Sequence, residues 1–202
     1  MIEAVLWDLG GVILRTEDRR PRAAWEGRLG LQEGELDRLV FGGEMGRRAA
    51  LGQARVEQVW QWVGERLGLA PDELERLRHD FWRGDRLDGE LIEFIRGLRR
   101  DHRSALLSNA WPGMRQMIEG EWAIGDCFDQ LFISAELGLA KPDPRIFRLA
   151  LQRLGIPADQ AIFVDDFSEN VEAAAALGLH AVRFVTPGQT MQELRQQLAG
   201  GG

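Results

Sequence analysis

VLWDLGGVIL, residues 5–14, decides how this 202-residue chain is read. An apolar run ends in one acid, Asp8, and glycines follow at Gly10 and Gly11. A short apolar run bounded by glycine reads as a buried strand. A carboxylate at the end of such a strand is costly to desolvate unless charges or hydrogen bonds meet it. The stretch therefore asks which other residues the fold gathers around Asp8.

The first run extends back to Ile2, and similar runs recur outward from it: SALLS at 104–108, QLFIS at 130–134, AIFV at 161–164 and HAVRFV at 180–185. Helical patterns lie between them. DGELIEFIRGLRR (88–100) repeats apolar residues at 91, 94, 95 and 98. DPRIFRLALQRLG (143–155) starts with an acid and proline and stops at glycine, and SENVEAAAALG (168–178) stops the same way. Strands alternating with helices predict an α/β fold, a doubly wound parallel sheet covered on both faces. Ligands of such sheets sit beyond the carboxyl ends of the strands. From 15 to 87 only helical patterns occur, among them ARVEQVWQWVGERLG (54–68) and PDELERLRHDFW (71–82). A small all-helical cap inserted after the first strand is expected there, with residues 1–14 and 88–202 forming the core and 15–87 the cap. Apart from the terminal GGG at 200–202, the chain shows no low-complexity segment and no internal repeat.

Composition narrows the partners. Apolar residues make up 45% of the chain, enough for a sizeable core. The net charge of −7 argues against nucleic acid, whose phosphates need a basic surface, while leaving room for a local pocket that takes a small phosphorylated ligand. The single cysteine, Cys127, supports neither an internal disulfide nor a zinc cluster, and the three histidines, His79, His102 and His180, are scattered. No apolar run reaches membrane-spanning length, and Glu3 stands where a signal peptide carries basic residues. The expectation is a cytoplasmic protein without a membrane partner. Seven tryptophans accompany no tyrosine. Trp25, Trp60, Trp62 and Trp82 fall in the cap, where packing between helices is the expected role and stacking on a ring substrate the alternative. Trp60 and Trp62 stand two apart and face different sides of a helix, so one of them is expected to meet the core or a pocket.

The carboxyl ends of the strands carry the chemistry. Asp8 follows the first strand, Ser108 and Asn109 end the second, Lys141 lies beyond the third, and Asp165 and Asp166 end the fourth. Singly, each has an ordinary reading as a turn acid, a helix cap, a surface charge or an acid pair at a helix start. Together they suit phosphoryl transfer. Clustered carboxylates repel unless a cation joins them, and oxygen-only ligands suit Mg²⁺. A carboxylate can act as nucleophile and form an aspartyl-phosphate. The ammonium and hydroxyl would neutralise charge on the transferring group. Gly10 and Gly11 allow backbone amides to approach a phosphate.

The ordered set WDLGGV (7–12), LLSNA (106–110), GLAKPDPRIF (138–147) and FVDDFSENVEAA (163–174) resembles the haloacid dehalogenase-like hydrolase superfamily, in the branch with a small helical cap after the first motif. The resemblance implies a Rossmann-like fold and roles for these positions. Asp8 matches the nucleophile and a metal ligand, and Asp166 the acid on Mg²⁺, with Asp165 supporting the metal directly or through water. The carbonyl of Gly10 adds a further ligand. Ser108 and Lys141 match the groups that bind the transferring phosphoryl group, with Asn109 beside them. The implied activity is Mg²⁺-dependent hydrolysis of the phosphomonoester of a small phosphorylated metabolite, a sugar phosphate being favoured. The alternatives are a 2-haloacid dehalogenase, whose metal-free chemistry gives no reason for Asp165 and Asp166, and a non-catalytic binding or regulatory protein on the same scaffold.

The sequence departs from the family at Gly10. The family's phosphatases usually carry a second aspartate there, its dehalogenases a tyrosine, and a subset of its sugar-phosphate phosphatases a glycine. Acid–base assistance is worth about 10²–10⁴-fold. A slower enzyme is therefore expected, or one whose substrates have good leaving groups, such as sugar 1-phosphates. Glu17 and Asp18 are the nearby acids that a missing proton donor would be sought among.

Overall fold

The computed structural model describes residues 1–199; the terminal glycines at 200–202 lie outside the described residues. The first apolar run forms β1 (Ala4–Trp7), buried throughout. The chain turns at Gly10–Gly11 into β2 (Leu14–Thr16) and then enters five helices, α1 (Arg20–Leu29), α2 (Glu35–Gly42), α3 (Glu44–Ala50), α4 (Val56–Leu67) and α5 (Pro71–Trp82). It returns through β3 (Asp85–Leu87), antiparallel to β2. Next come α6 (Gly89–Leu98), β4 (Arg103–Ser108) and α7 (Met114–Gln116), which runs into a π-helical turn. Then follow β5 (Gln130–Ile133), α8 (Ser134–Leu137), α9 (Pro144–Leu154), β6 (Ala161–Asp165), α10 (Ser168–Ala176), β7 (His180–Arg183) and α11 (Pro187–Ala199).

Local chemistry sets these bounds. The Asp88 carboxylate accepts from the Leu91 amide and starts α6, and Asp143 does the same for α9 through Arg145. Gly155 ends α9 in the left-handed conformation, φ 69°. Among the described residues the main sheet has five parallel strands in the order β5-β4-β1-β6-β7. Alternate residues of β1 feed opposite faces. Val5 and Trp7 pack with Leu91 and Ile95 of α6 and Leu194 of α11. Ala4 and Leu6 pack with Ile146 and Phe147 of α9 and Ala174 of α10. This is the doubly wound, Rossmann-like sheet the alternation predicts. The order in which strands are added reverses about β1, with β4 and β5 on one side and β6 and β7 on the other, so the ligand crevice falls at the end of β1, where Asp8 stands.

The cap helices have a cluster of their own, built on Leu36, Val40, Val59, Trp60, Leu77 and Phe81. Trp25 and Trp60 are buried in it, and Trp62 is half-buried over Gly43. Helix packing is thus what these three do. The tryptophan that crosses from core to cap is Trp111, which joins the cap cluster and donates its indole N–H to the Gly46 carbonyl at 3.1 Å.

Residues 15–87, expected to be all-helical, instead begin and end in the β2–β3 ribbon. Each strand has three residues of mixed polarity, too few to show a period, and pairing across the whole insertion creates them. The Glu17 and Asp18 amides both donate to the Gly84 carbonyl. A Cβ on Gly84 would stand 1.9 Å from the Asp18 carbonyl oxygen, so glycine is what lets the two strands of the hinge cross. A buried cation ties the cap to this ribbon. Arg22 of α1 donates to the Phe81 carbonyl, to Asp37 of α2 and to both oxygens of Asp85, at 2.7 and 2.8 Å. No described helix is long and apolar enough to cross a membrane.

Candidate active site

Asp8 continues the β1 ladder, its amide donating to the Val164 carbonyl of β6 at 2.9 Å. The strand therefore fixes its backbone. Its Oδ1 accepts from the Leu9 amide at 2.7 Å and lies 2.8 Å from Lys141 Nζ. Among the described residues, Oδ2 has no hydrogen-bond donor. Lys141 is buried, and its ammonium also donates to Asp165 Oδ2 at 2.6 Å. Asn109 holds the lysine in place: its Oδ1 accepts from the Lys141 amide and its Nδ2 donates to the Lys141 carbonyl, both at 2.8 Å. The lysine's peptide bond to Pro142 is cis.

Asp165 and Asp166 are adjacent but differently used. Asp165 is fully buried, and its oxygens accept from the Phe167 amide, from Lys141, and from the Asn170 amide nitrogen at 3.0 Å to each oxygen. Asp166 points beneath the glycine turn, and its buried Oδ1 has no hydrogen-bond partner. One oxygen each from Asp8, Asp165 and Asp166 lie within 4.8 Å of one another. Two of these carboxyls are strained electrostatically. Burial pushes Asp8 up to about 7, Lys141 opposing and Asp165 reinforcing the shift. Burial, reinforced by Asp165, raises Asp166 to about 6. Three acids against one ammonium leave room for a cation, and an all-oxygen set suits a hard divalent ion such as Mg²⁺.

The other expected residues surround this cluster. Ser108 is buried at the end of β4, and the Trp7–Leu106 register puts it one residue beyond the level of Asp8. The Asn109 side chain is spent on the Lys141 backbone, so it positions the lysine, and its own main chain is left to face a phosphate. Gly10 is exposed in the turn, and a Cβ there meets nothing within 4 Å. Gly11 differs: φ is +80°, and a Cβ would stand 2.2 Å from Asp166 Oδ2. Glycine at 11 thus makes the space that Asp166 occupies.

Neither guessed proton donor is drawn into the cluster. Asp18 is gripped by Arg20 through two bonds of 2.8 Å, and these hold its carboxyl down at about 2. Glu17 is exposed, 3.8 Å from Arg15. Cys127 is buried elsewhere, and burial lifts its thiol to about 11, which makes it inert. Asn170 and the Phe167 amide escaped the sequence reading; the signal for Asn170 is an amide residue five positions after Asp165, in the first turn of a helix.

Comparison with known proteins follows from this geometry. Residues 2–178 match the family described as haloacid dehalogenase-like hydrolase. The D-ribitol-5-phosphate phosphatase of Bacteroides thetaiotaomicron is 26% identical over 204 residues, covering 96% of this chain and 97% of that protein. A sesquiterpene phosphatase of Aspergillus oryzae is 26% identical over 200 residues, covering 96% and 95%. Of two other relatives the chain spans only 7% and 21%. A wild-type enzyme of Bacteroides thetaiotaomicron, crystallised with magnesium and inorganic phosphate, superposes with a TM-score of 0.73 at 22% identity, over 91% of this chain and 94% of that one. That likeness is one of fold.

Proposed function

This chain belongs to the haloacid dehalogenase-like hydrolase family, and from that premise we propose that it hydrolyses phosphomonoesters with Mg²⁺, through an aspartyl-phosphate on Asp8. The observation that carries the reading is the charge balance at the end of β1. Three carboxylates converge within 4.8 Å around one ammonium, and Asp166 Oδ1 is buried without a partner. A buried polar atom left unpaired inside an acidic cluster is what a cation ligand looks like without its cation. Asp8, Asp166 and the Gly10 carbonyl would hold the ion, with Asp165 behind them. Bound Mg²⁺ supplies positive charge that keeps these acids ionised and draws phosphoryl oxygens inward.

The chain's own groups do the rest. Lys141 and the Leu9 amide hold Asp8 Oδ1 and leave Oδ2 to attack phosphorus. The new Oδ2–P bond forms as the P–O bond to the alcohol breaks, and the electron pair leaves with the alcohol oxygen. Lys141 and Ser108 balance charge on the phosphoryl oxygens. Water then attacks the aspartyl-phosphate, releasing phosphate and restoring Asp8. Gly10 carries no acid, so the departing oxygen takes its proton from solvent, which favours acidic leaving groups such as the hemiacetal oxygen of a sugar 1-phosphate. The substrate is a small phosphorylated metabolite. Sugar phosphates are the class the sequence favours, and the name of the ribitol-phosphate relative supports them. A cytoplasmic setting fits the single, unpaired Cys127.

The test is phosphate release from a panel of phosphoesters, with Mg²⁺ and with a chelator, in the wild-type protein and in Asp8→Asn. Release is expected only with metal and is expected to fall about 10⁴-fold or more in the variant. Release that survives either change overturns the proposal.

A further inference from the structure

Burying apolar surface is the main driving force of folding, so large apolar side chains left in water mark binding surfaces when they cluster. Among the described residues, the exposed large apolar side chains are Met1, Phe41 (43%), Trp82 (37%), Phe167 (63%) and Val185 (66%). Apart from Met1 they fall in two places, one on the core and one on the cap. Phe167 and Val185 lie just past the carboxyl ends of β6 and β7, and Phe167 directly follows Asp166. Phe41 and Trp82 belong to the cap, where they form a triangle with Trp111. Ring centroids are 5.8 Å apart for Phe41–Trp82, 5.5 Å for Phe41–Trp111 and 6.3 Å for Trp82–Trp111.

The triangle is tethered to the reaction site at two corners. Trp111 is three residues beyond Ser108, a reach of at most about 11 Å between Cα atoms. Trp82 is three residues before β3, whose partner β2 is bonded to the glycine turn through the Gly11 amide and the Leu14 carbonyl at 2.9 Å. The ring triangle is therefore carried by segments that lead directly from Ser108 and to the β2–β3 ribbon beside the glycine turn, and Phe167 adjoins Asp166 in the chain. A phosphoryl group seated at Asp8, beyond the strand ends, has to direct its alcohol part away from the sheet.

We infer that the alcohol part of the substrate is apolar, an aromatic or hydrocarbon group that packs against Phe41, Trp82 and Phe167. The inference rests on the phosphatase reading and departs from the sugar-phosphate expectation: an open polyol chain would leave the rings wet and its own hydroxyls without partners.

The experiment compares esters of primary alcohols, so that leaving-group acidity contributes little. For 2-phenylethyl phosphate, kcat/KM is expected to exceed that for glycerol 3-phosphate on the order of 10- to 100-fold. Trp82→Ala and Phe167→Ala are each expected to lower the value for the phenylethyl ester about 10-fold and to change that for glycerol 3-phosphate about 2-fold or less. Phe167 is the more exposed of the two, so its variant keeps the test open if the Trp82 variant folds poorly. Equal kcat/KM for the two esters, or equal losses on both, overturns the inference while leaving the phosphatase reading intact. If neither ester is cleaved, the phosphatase reading is judged by the phosphoester panel, and binding of the uncleavable 2-phenylethyl phosphonate, followed by tryptophan fluorescence, decides this inference. Binding that weakens about 10-fold in Phe167→Ala supports the apolar wall, and binding no tighter than that of 3-hydroxypropyl phosphonate overturns it.

Discussion

Two clusters of buried charge, one in the hinge and one at the sheet edge, use the same residue types to opposite ends. In the hinge, every guanidinium nitrogen of Arg22 donates a hydrogen bond, and Asp85 accepts on both oxygens and also from Thr16. At the sheet edge, Lys141 divides one positive charge between Asp8 and Asp165, while Asp166 Oδ1 has no donor. The first cluster is closed and has nothing to offer a ligand. The second is short of positive charge, and two of its carboxyls sit well above the usual carboxylate range. Satisfied burial holds a fold together, whereas burial left unsatisfied marks a place where something binds.

The sharpest way to break the comparison is to open the closed cluster. Arg22→Ala leaves Asp85 without a cation, leaves Asp37 with Arg19 alone, and removes a guanidinium stacked 4.0 Å above the Phe81 ring. Breaking a buried pair from one side costs about 3–5 kcal/mol. Urea unfolding is expected to show that loss, and limited proteolysis is expected to cut within 15–87 first. A loss below about 1 kcal/mol would mean that the cap does not depend on this tie.

At the open cluster the second prediction fills the space instead. Gly11→Ala puts a methyl 2.2 Å from Asp166 Oδ2 at a residue with φ +80°. Asp166 has to move, so Mg²⁺ affinity and turnover are both expected to fall about 10²-fold, while the strained backbone costs only about 1 kcal/mol. Isothermal titration with Mg²⁺ beside a phosphate-release assay separates the two effects. Unchanged metal affinity would show that Asp166 is not a ligand.

Gly10→Asp tests the neighbouring position, where a side chain has room: a Cβ meets nothing within 4 Å. A grafted acid in reach of the leaving oxygen is expected to raise kcat about 10-fold on an ester of a poorly acidic alcohol and to leave an aryl phosphate unchanged. A gain on both, or on neither, removes the argument that solvent supplies the proton.

How much of this was legible follows from what each residue depends on. Asp8, Ser108, Asp165 and Asp166 stand at or just after apolar runs and Lys141 in the segment beyond another, so short apolar runs and a rule about strand ends placed them together. The β2–β3 ribbon was invisible because Leu14–Thr16 and Asp85–Leu87 become strands only by pairing with each other across the cap. Nothing local reveals that the Asn109 amide clasps the backbone of a residue 32 positions away. Trp111 belongs to the core by sequence and to the cap by packing. That relation exists only once both are folded.

The smallest predicted effect also separates stability from function most directly. In protein freed of metal, Asp166→Asn removes a carboxyl that burial and the Asp165 charge raise from 3.8 to about 6. A raised carboxylate pKa means that the folded protein holds the proton more tightly than the unfolded chain does. The stability linked to that proton is complete below pH 3.8 and is lost as pH rises through about 6. Asparagine resembles the protonated form at every pH. The variant is therefore expected to melt with the parent near pH 4 and above it at pH 8. Asp166 is only partly buried, so solvent screens the repulsion and the rise is about 2 °C. Added Mg²⁺ is expected to invert the order at pH 8, since it stabilises the parent and has lost a ligand in the variant. Calorimetry at the two pH values, with and without metal, reads all four states. A variant that melts below the metal-free parent at pH 8 would show Asp166 to be a structural acid like Asp85, and the contrast between the two clusters would fail.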